Sequence, residues 1–501
     1  MAITSRNQDY SQWYNDIVQE AQLAENSSVR WCMVIKPYGY AIWENIKNIL
    51  DAQFKITWHT NAYFPLFIPK SFFSKEASHV EWFAKECAIV THYRLKNDPN
   101  GKWVIVDPEA KLEEELIVRP TSETIIRDSY RNRIHSYRDL PLLINQRANV
   151  VRREMRTRAF LRTTEFLRQE WHTAHATPEE AEEETKKMLM VYSDFVSNFM
   201  WIYHALWQKP EHEKFAGAVR TYCFEPMMQD GKALQAGTSH NLWQNFAKAF
   251  DVKFTNKENK LEHVYATSRW VSTRLIWWLI MSHSDDKWLV LPPALAPIHL
   301  VIVPIFKNKE ELEEIKNYLQ PALDRIKTFN LTIKSEFLWE HNIPLNVKID
   351  DDDQRSPWWK YNERELKWVP IRIAIWLRDK EKWQIEIYRR DIQEKQFVDI
   401  DSLPNTIYEM IHDIQKSIFE KHKKFTIENS FKADTYEDFK EKVEKWFVLA
   451  HRDETNETAM KIQEECKATI RCIPFDAVEE DWVDMISGKP SKRRVLFARS
   501  Y

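Results

Sequence analysis

The sequence predicts a multi-domain α/β protein, and three observations carry that expectation. The chain has 501 residues, 44% hydrophobic and 29% charged, enough for several buried cores at about 150 residues per domain. Segments with apolar residues at helical spacing alternate with short β-branched and aromatic runs bounded by proline. A proline-rich stretch, Pro292-Pro293-Ala294-Leu295-Ala296-Pro297, reads as a linker after a large first domain.

The elements follow in order. Tyr10 to Ala24 places Trp13, Ile17, Ala21 and Ala24 at helical spacing, and Tyr40 to Phe54 does the same with Ile42, Ile46, Ile49, Leu50 and Phe54. The run from Ala62 to Pro69 is aromatic, apolar and broken by prolines, which predicts a strand ending at or near Pro65. Leu116 to Val118 is a predicted strand that Pro120 ends, with Thr121 or Ser122 capping the helix that follows. Leu142 to Val151 and Thr164 to Arg168 are predicted strands joined by a polar loop, Met155 to Arg162, that can reach into a cleft. Pro178 to Phe199 is a predicted helix whose acidic start, Glu179-Glu180, suits the helix dipole. Downstream, a strand at Ile298–Phe306, a helix at Glu310–Thr328 and strands at Pro370–Trp376 and Gln384–Tyr388 predict a separate α/β unit. Ile407–Lys424 and Tyr436–Arg452 read as amphipathic helices of a third region.

Composition excludes several classes. The net charge of −3 rules out a uniformly basic nucleic-acid coat, so nucleic-acid contact has to come from local patches. There is no run of about 18 apolar residues to span a membrane, and the N-terminal residues lack the order of a signal peptide. Five cysteines make no disulfide framework and suit a reducing, cytoplasmic setting.

The chemistry concentrates in one stretch. Arg147, Arg152, Arg153, Arg156, Arg158, Arg162 and Arg168 alternate with strand-forming residues. Arg152 and Glu154 are two apart, hence on one strand face, where a guanidinium suits a phosphate and a carboxylate suits an adenine amino group. Phe166 follows the loop and offers a ring for a purine. Singly, these residues have plainer readings: a charge run is a solvated face, Glu123 a cap, His172 a core histidine, Thr238 a turn residue.

Together they resemble a class II aminoacyl-tRNA synthetase. The Arg152-x-Glu154 pair, the loop, and Arg162-x-x-x-Phe166 match one motif of that class. The segment ending at Pro65 resembles its dimerisation element, and Thr267 to Arg274 resembles its third motif. Longer strings sharpen the likeness to prolyl-tRNA synthetases of the archaeal/eukaryotic-like type: Arg119-Pro120-Thr121-Ser122-Glu123, Phe160 to Leu167, Gln169 to His175, and Met228 to His240. The resemblance implies an antiparallel-sheet catalytic core at 1–296, an α/β anticodon-binding domain at 297–405 and a small α+β C-terminal domain at 406–501.

It also implies roles. Arg152 and Arg274 are the catalytic residues, Arg152 bridging the prolyl carboxylate and the α-phosphate and Arg274 holding the β- and γ-phosphates. Thr121, Glu123, Glu170, His172 and Ser268 surround proline, Glu123 facing its imino nitrogen. Glu154, Phe166, Gln235 and Thr238 hold the rest of ATP. Lys360, Glu365 and Arg372 are candidates for tRNA contact. The implied cofactors are ATP and Mg²⁺, and the implied partners are L-proline, tRNA(Pro) and a second copy of the chain. No membrane is implied, and no side-chain base. Two other readings remain: another class IIa synthetase, for threonine or glycine, and a paralogue that binds tRNA or a partner without forming an adenylate. The 108 positions between Phe166 and Arg274 leave no room for a large editing insertion. In the C-terminal region Cys466 and Cys472 stand without two further ligands, with Asp484 or Met485 where another Cys would be, so no zinc site is expected.

The departures from the family run one way. Trp31, Trp58, Trp82, Trp171, Trp243, Trp270, Trp277, Trp288, Trp368, Trp376 and Trp383 stand where its pattern favours Gly. Arg147, Arg153, Arg168 and Arg269 stand where it has Trp. The chain has 6 Gly and 22 Trp. Read literally, an indole at Trp171 is expected to intrude between Glu170 and His172, and one at Trp270 to lie beside the phosphates. Overpacking of that kind costs about 1–3 kcal/mol per site.

Overall fold

The computed structural model describes residues 3–74, 87–99, 101, 103–154, 157–235, 237–474 and 479–501. Trp82, Met155 and Arg156 lie outside them. Asp9 caps the first helix, Tyr10–Glu20, accepting from the Ser11 and Gln12 amides, and Trp13, Tyr14, Ile17 and Val18 are buried beneath it. It stops short of the predicted Ala24 because Ala24–Asn26 pairs instead with Met33–Ile35. The second helix, Pro37–Ile56, has proline in its first turn and buries Ile42, Trp43, Ile46, Ile49, Leu50 and Phe54.

These helices and Pro178–Asn198 pack on an eleven-stranded sheet. At one edge Thr60–Ala62 runs parallel to Leu142–Val151. The predicted strand therefore ends at Ala62, before Pro65. Leu142–Val151 then pairs antiparallel with Glu165–His175, which is longer than the predicted 164–168 strand and confirms the hairpin. Tyr265–Ser272, Gly237–Trp243, Arg220–Glu225 and Ala205–Gln208 follow in antiparallel order. These elements occupy the span between Phe166 and Arg274.

The sheet continues into the C-terminal region. Thr469–Pro474 pairs with Ala205–Gln208, then come Arg494–Ala498, Phe447–His451 and Ser430–Ala433. The helix expected over 436–452 is thus only half helix, Tyr436–Val443; the apolar run Phe447-Val448-Leu449-Ala450 becomes a buried strand between two others. The predicted helix at 407–424 extends over Leu403–Glu428.

The middle unit has a five-stranded sheet. Val347–Ile349, Leu300–Ile305 and Ile371–Trp376 are parallel, and Ile385–Arg389 and Glu394–Val398 add antiparallel. Lys309–Thr328, capped by Asn308, packs against it, as the sequence predicts. The proline-rich segment before it is no exposed linker. Pro293, Ala294 and Leu295 are buried, and the Ala294 amide donates to Gln415 Oε1 at 2.9 Å, because the 403–428 helix packs over it.

Among the described residues, Trp31, Trp58, Trp201, Trp243, Trp339, Trp368 and Trp383 hold φ between 51° and 70°. A side chain bearing a Cβ in that left-handed region costs about 1–2 kcal/mol.

One buried ion cluster ties the C-terminal strands to the rest. The Glu225 carboxylate, fully buried, accepts from Arg471 Nε at 2.7 Å, Arg471 Nη2 at 2.9 Å and Lys209 Nζ at 2.8 Å. Burial raises the Glu225 carboxyl, but Arg471 and Lys209 outweigh it and hold it below the usual range. Removing one partner from such a cluster strands a buried charge. Arg471→Ala is expected to destabilise the fold by about 3–5 kcal/mol, read as a lowered urea midpoint.

Candidate functional site

The site begins with strand alternation. Arg168, Glu170 and His172 project from one face of Glu165–His175. In register beside them on that face stand Gln146 opposite Glu170 on one neighbouring strand, and Ser268 and Trp270 opposite His172 and Glu170 on the other. One strand further, His240 pairs with Ser268 and Thr238 with Trp270. Glu170 is fully buried. It accepts from Ser122 Oγ at 3.0 Å, contacts His172 Nε2 at 3.1 Å and lies 3.8 Å from Arg168 Nε. Burial pushes its carboxyl up, but Arg168 and the His172 hydrogen bond outweigh that and bring it down to about 2.

Pro120 ends the preceding strand and the helix Glu123–Arg131 aims its start at this face. Ser122 occupies the cap position, yet its side chain caps nothing; its hydroxyl goes to Glu170 and accepts from Gln146 Nε2 at 3.2 Å. Thr121 Oγ1 donates to Glu123 Oε2. Glu123 is buried, which raises its carboxyl, but His172 and Arg168 together hold it below the ordinary value. Thr121, Glu123, Glu170, His172 and Ser268 are thus brought to one buried pocket, where the Ser268 hydroxyl has no hydrogen-bond partner.

The basic end adjoins it. Arg152 Nε donates to the Pro120 carbonyl at 2.9 Å, and its guanidinium lies 5.9 Å from the Phe166 ring centre. Arg274 Nη1 donates to the Gln235 carbonyl at 3.2 Å. Burial, with Arg168 and Arg274 nearby, lowers Arg152 to about 10; burial, with Arg162 nearby, lowers Arg274 to about 10 despite Glu154. Arg152, Glu154, Phe166, Gln235 and Arg274 therefore share one region, and mutually repelling guanidiniums there call for an anion. Thr238 Oγ1 is bonded to His240 Nε2 at 2.8 Å.

Trp171 does not intrude between Glu170 and His172. Alternation sends it to the opposite face, where it is fully buried against Phe54, Tyr192 and His59. Trp270 does lie on the site face, with Arg168 4.5 Å and Arg274 5.9 Å from its ring centre.

In the middle unit Lys360 is only 2% exposed and donates to the Asp350 carbonyl at 2.9 Å. Arg372 is buried between the rings of Tyr361 at 3.8 Å and Tyr388 at 4.8 Å, with Glu365 and Glu386 each at 3.7 Å. Both cations face inward; the half-buried Glu365 is the more accessible of the three. Arg355, 4.0 Å over the exposed Trp359 ring, offers an outward stacking surface that sequence reasoning passed over. It also missed Ser122, Gln146 and His240, although counting by twos along the paired strands would have found the last two. Among the described residues no three His, Cys, Asp or Glu side chains are grouped to hold a metal ion. Cys466 is a buried free thiol, and Asp484 accepts the Ile486 and Ser487 amides at 2.8 and 2.6 Å.

Comparison with known proteins agrees along the whole chain. The profile of the class II tRNA synthetase core (G, H, P, S and T) matches residues 104–283, that of the anticodon binding domain 299–410, and that of the prolyl-tRNA synthetase C-terminal domain 436–501. A Proline--tRNA ligase of Cytophaga hutchinsonii is 57% identical over 501 residues, covering 100% of this chain and 99% of that protein. Those of Phocaeicola vulgatus and Porphyromonas gingivalis are each 56% identical with the same coverage.

Buried histidines give the site and its surroundings a pH signature. Burial lowers His175, His204, His299 and His422 to about 4 and His240 and His283 to about 3. Below about 6.5 the unfolded chain binds protons that the folded one refuses, so stability must fall as pH drops from 7 toward 4. Urea midpoints across that range check this, and His240→Asn is expected to shallow the slope.

Proposed function

The chain belongs to the prolyl-tRNA synthetase family, and we propose that the residues gathered on the sheet face divide that family's chemistry among them. The protein is an aminoacyl-tRNA ligase: it activates L-proline with ATP and transfers it to the 3′ end of tRNA(Pro). The observation that carries the division of labour is the convergence of Arg152, Phe166 and Arg274, from three distant stretches, beside the pocket of Glu123, Glu170 and His172.

Proline occupies that pocket. Its imino group, cationic in the free amino acid, is met by Glu123, with Thr121 bonded to the same carboxylate. Glu170 holds Arg168, His172 and Ser122 in place, and Ser268 offers an unpaired hydroxyl to the substrate. The prolyl carboxylate is then directed toward the α-phosphate, and Arg152 neutralises charge on both as the carboxylate attacks and pyrophosphate leaves. Phe166 stacks on adenine, Glu154 accepts from its amino group, Gln235 and Thr238 line the nucleotide, and Arg274 holds the β- and γ-phosphates. Mg²⁺ would enter as the nucleotide's counter-ion and would neutralise phosphate charge; among the described residues no three His, Cys, Asp or Glu side chains are grouped to hold it without the nucleotide. In the second step the tRNA terminal hydroxyl attacks the activated carbonyl, and no side-chain nucleophile is required. Glu365, oriented by Arg372, and the Arg355–Trp359 surface face the tRNA, while Lys360 shapes the adjoining loop.

The enzyme acts as a homodimer in the cytoplasm in this reading. Tyr63 and Phe67 are exposed within the 60–69 segment and offer apolar surface that a second copy would cover.

Proline-dependent ATP–pyrophosphate exchange tests the assignment. Arg152→Ala is expected to lower its kcat by about 10²–10³-fold. Phe166→Ala is expected to raise the KM for ATP roughly tenfold and leave that for proline unchanged. Equal exchange with threonine or glycine, or tRNA binding without exchange, would instead favour the two other readings.

A further inference from the structure

Among the described residues fourteen other than glycine hold left-handed backbone, and seven of these are tryptophan, a residue that makes up 22 of 501. The others include Gln22 and Lys467, each just past a helix. Three of the tryptophans end helices in the same paired hydrogen-bond pattern. After Pro37–Ile56 the His59 amide donates to the Phe54 carbonyl and the Trp58 amide to that of Lys55, both at 3.1 Å. After Pro357–Leu366 the Val369 amide reaches Arg364 at 3.1 Å and the Trp368 amide Glu365 at 3.2 Å. After Leu377–Lys382 the Gln384 amide reaches Asp379 at 3.2 Å and the Trp383 amide Lys380 at 3.4 Å. In each, the tryptophan holds the left-handed position just past the helix, which favours a residue with no Cβ. Trp31 is third in the turn closed by the Cys32 amide on Val29. Trp243 sits at the bulge where the Gly237–Trp243 strand slips register on Tyr265–Ser272, and Trp339 opens the return strand of the hairpin spanning 330–344.

Five of the seven indoles, those of Trp31, Trp58, Trp243, Trp339 and Trp383, are exposed, while that of Trp368 is buried. Trp58 and Trp339 are each 83% exposed, and Trp201 and Trp368 have indole nitrogens with no hydrogen-bond partner. Trp13 is the contrast: it lies in a helix, fully buried, and its Nε1 donates to the Asp285 carbonyl at 2.8 Å. Two populations of tryptophan are present, one held by its side chain and one placed where the backbone favours glycine.

We infer that Trp31, Trp58, Trp201, Trp243, Trp339, Trp368 and Trp383 are glycine in the protein as its own cell makes it, because a codon that other cells read as tryptophan is decoded there as glycine. Two populations need two codons. UGG is the ordinary tryptophan codon, and UGA is the one that some cells also read as tryptophan, so UGA is assigned to the glycine set. The partner this implies is a glycine-accepting tRNA whose anticodon pairs with UGA. Trp171 joins the set on packing grounds. Its ring centre lies 3.7 Å from that of Phe54, inside the usual 4.5–7 Å of aromatic pairs, and its Nε1 has no partner.

The test is peptide sequencing by mass spectrometry of the protein isolated from its own cells, with the gene's codons read alongside. The expected result is glycine and UGA at 58, 368 and 383, with tryptophan and UGG at 13. An indole in any of those three peptides, or UGG at those three codons, overturns the inference. A second arm compares the chain as written with one carrying glycine at the seven left-handed positions, both made in a host that reads UGG as tryptophan. The glycine chain is expected to melt at least about 5 °C higher; an equal or lower Tm overturns the inference. Neither arm depends on catalytic activity, so the assignment of site residues stands or falls separately.

Discussion

A buried carboxylate holds the site together. Glu170 has no solvent to stabilise its charge, so its position is fixed by the groups that do so instead: the Arg168 guanidinium, the His172 ring and the Ser122 hydroxyl. Those three come from one strand and from the start of a helix more than forty residues earlier. Each in turn limits something else. His172 and Arg168 keep Glu123 ionised, and Ser122 is bridged to Gln146 on the neighbouring strand. Moving any one of them would leave a charge uncompensated in a low-dielectric pocket, which is why rigid sheet and helix-start positions supply these groups rather than a loop.

Next to this balanced cluster lies an unbalanced one. Burial lowers both Arg152 and Arg274; Arg168 and Arg274 add to this at Arg152, and Arg162 adds to it at Arg274, with Glu154 as a partial counterweight there. Several guanidiniums gathered in a buried region suit a polyanion. A charge-balanced pocket with guanidiniums beside it is complementary to a zwitterion next to a polyphosphate.

Much of this was legible in the sequence because motif residues are short-range. Arg152-x-Glu154, Phe166 and the 119–123 string announce themselves by spacing, and the hairpin and the 178–198 and 309–328 helices follow from periodicity. What was illegible depended on distant partners. Nothing local distinguishes 447–451 from the end of a helix until the strands on either side are known. The 292–297 segment looks like a linker because its prolines are visible and the helix that buries it is more than a hundred residues away. Lys360 and Arg372 read as surface cations until Asp350, Tyr361 and Tyr388 surround them. Trp171 stands between two site residues in sequence, yet alternation along the strand puts it on the opposite face.

The sheet that carries the site is completed from the far end of the chain. The Ala233 amide donates to the Arg499 carbonyl at 2.8 Å, and the Tyr501 hydroxyl bonds Asp230 Oδ2, both just upstream of Gln235. During synthesis, therefore, the segment that flanks Arg274 waits for residues 494–501 to clear the ribosomal exit tunnel. Until then the 205–208 strand is a bare edge open to mispairing with other nascent chains. A protein that supplies ribosomes with charged tRNA thus completes its own sheet only when a segment more than two hundred residues downstream has been made.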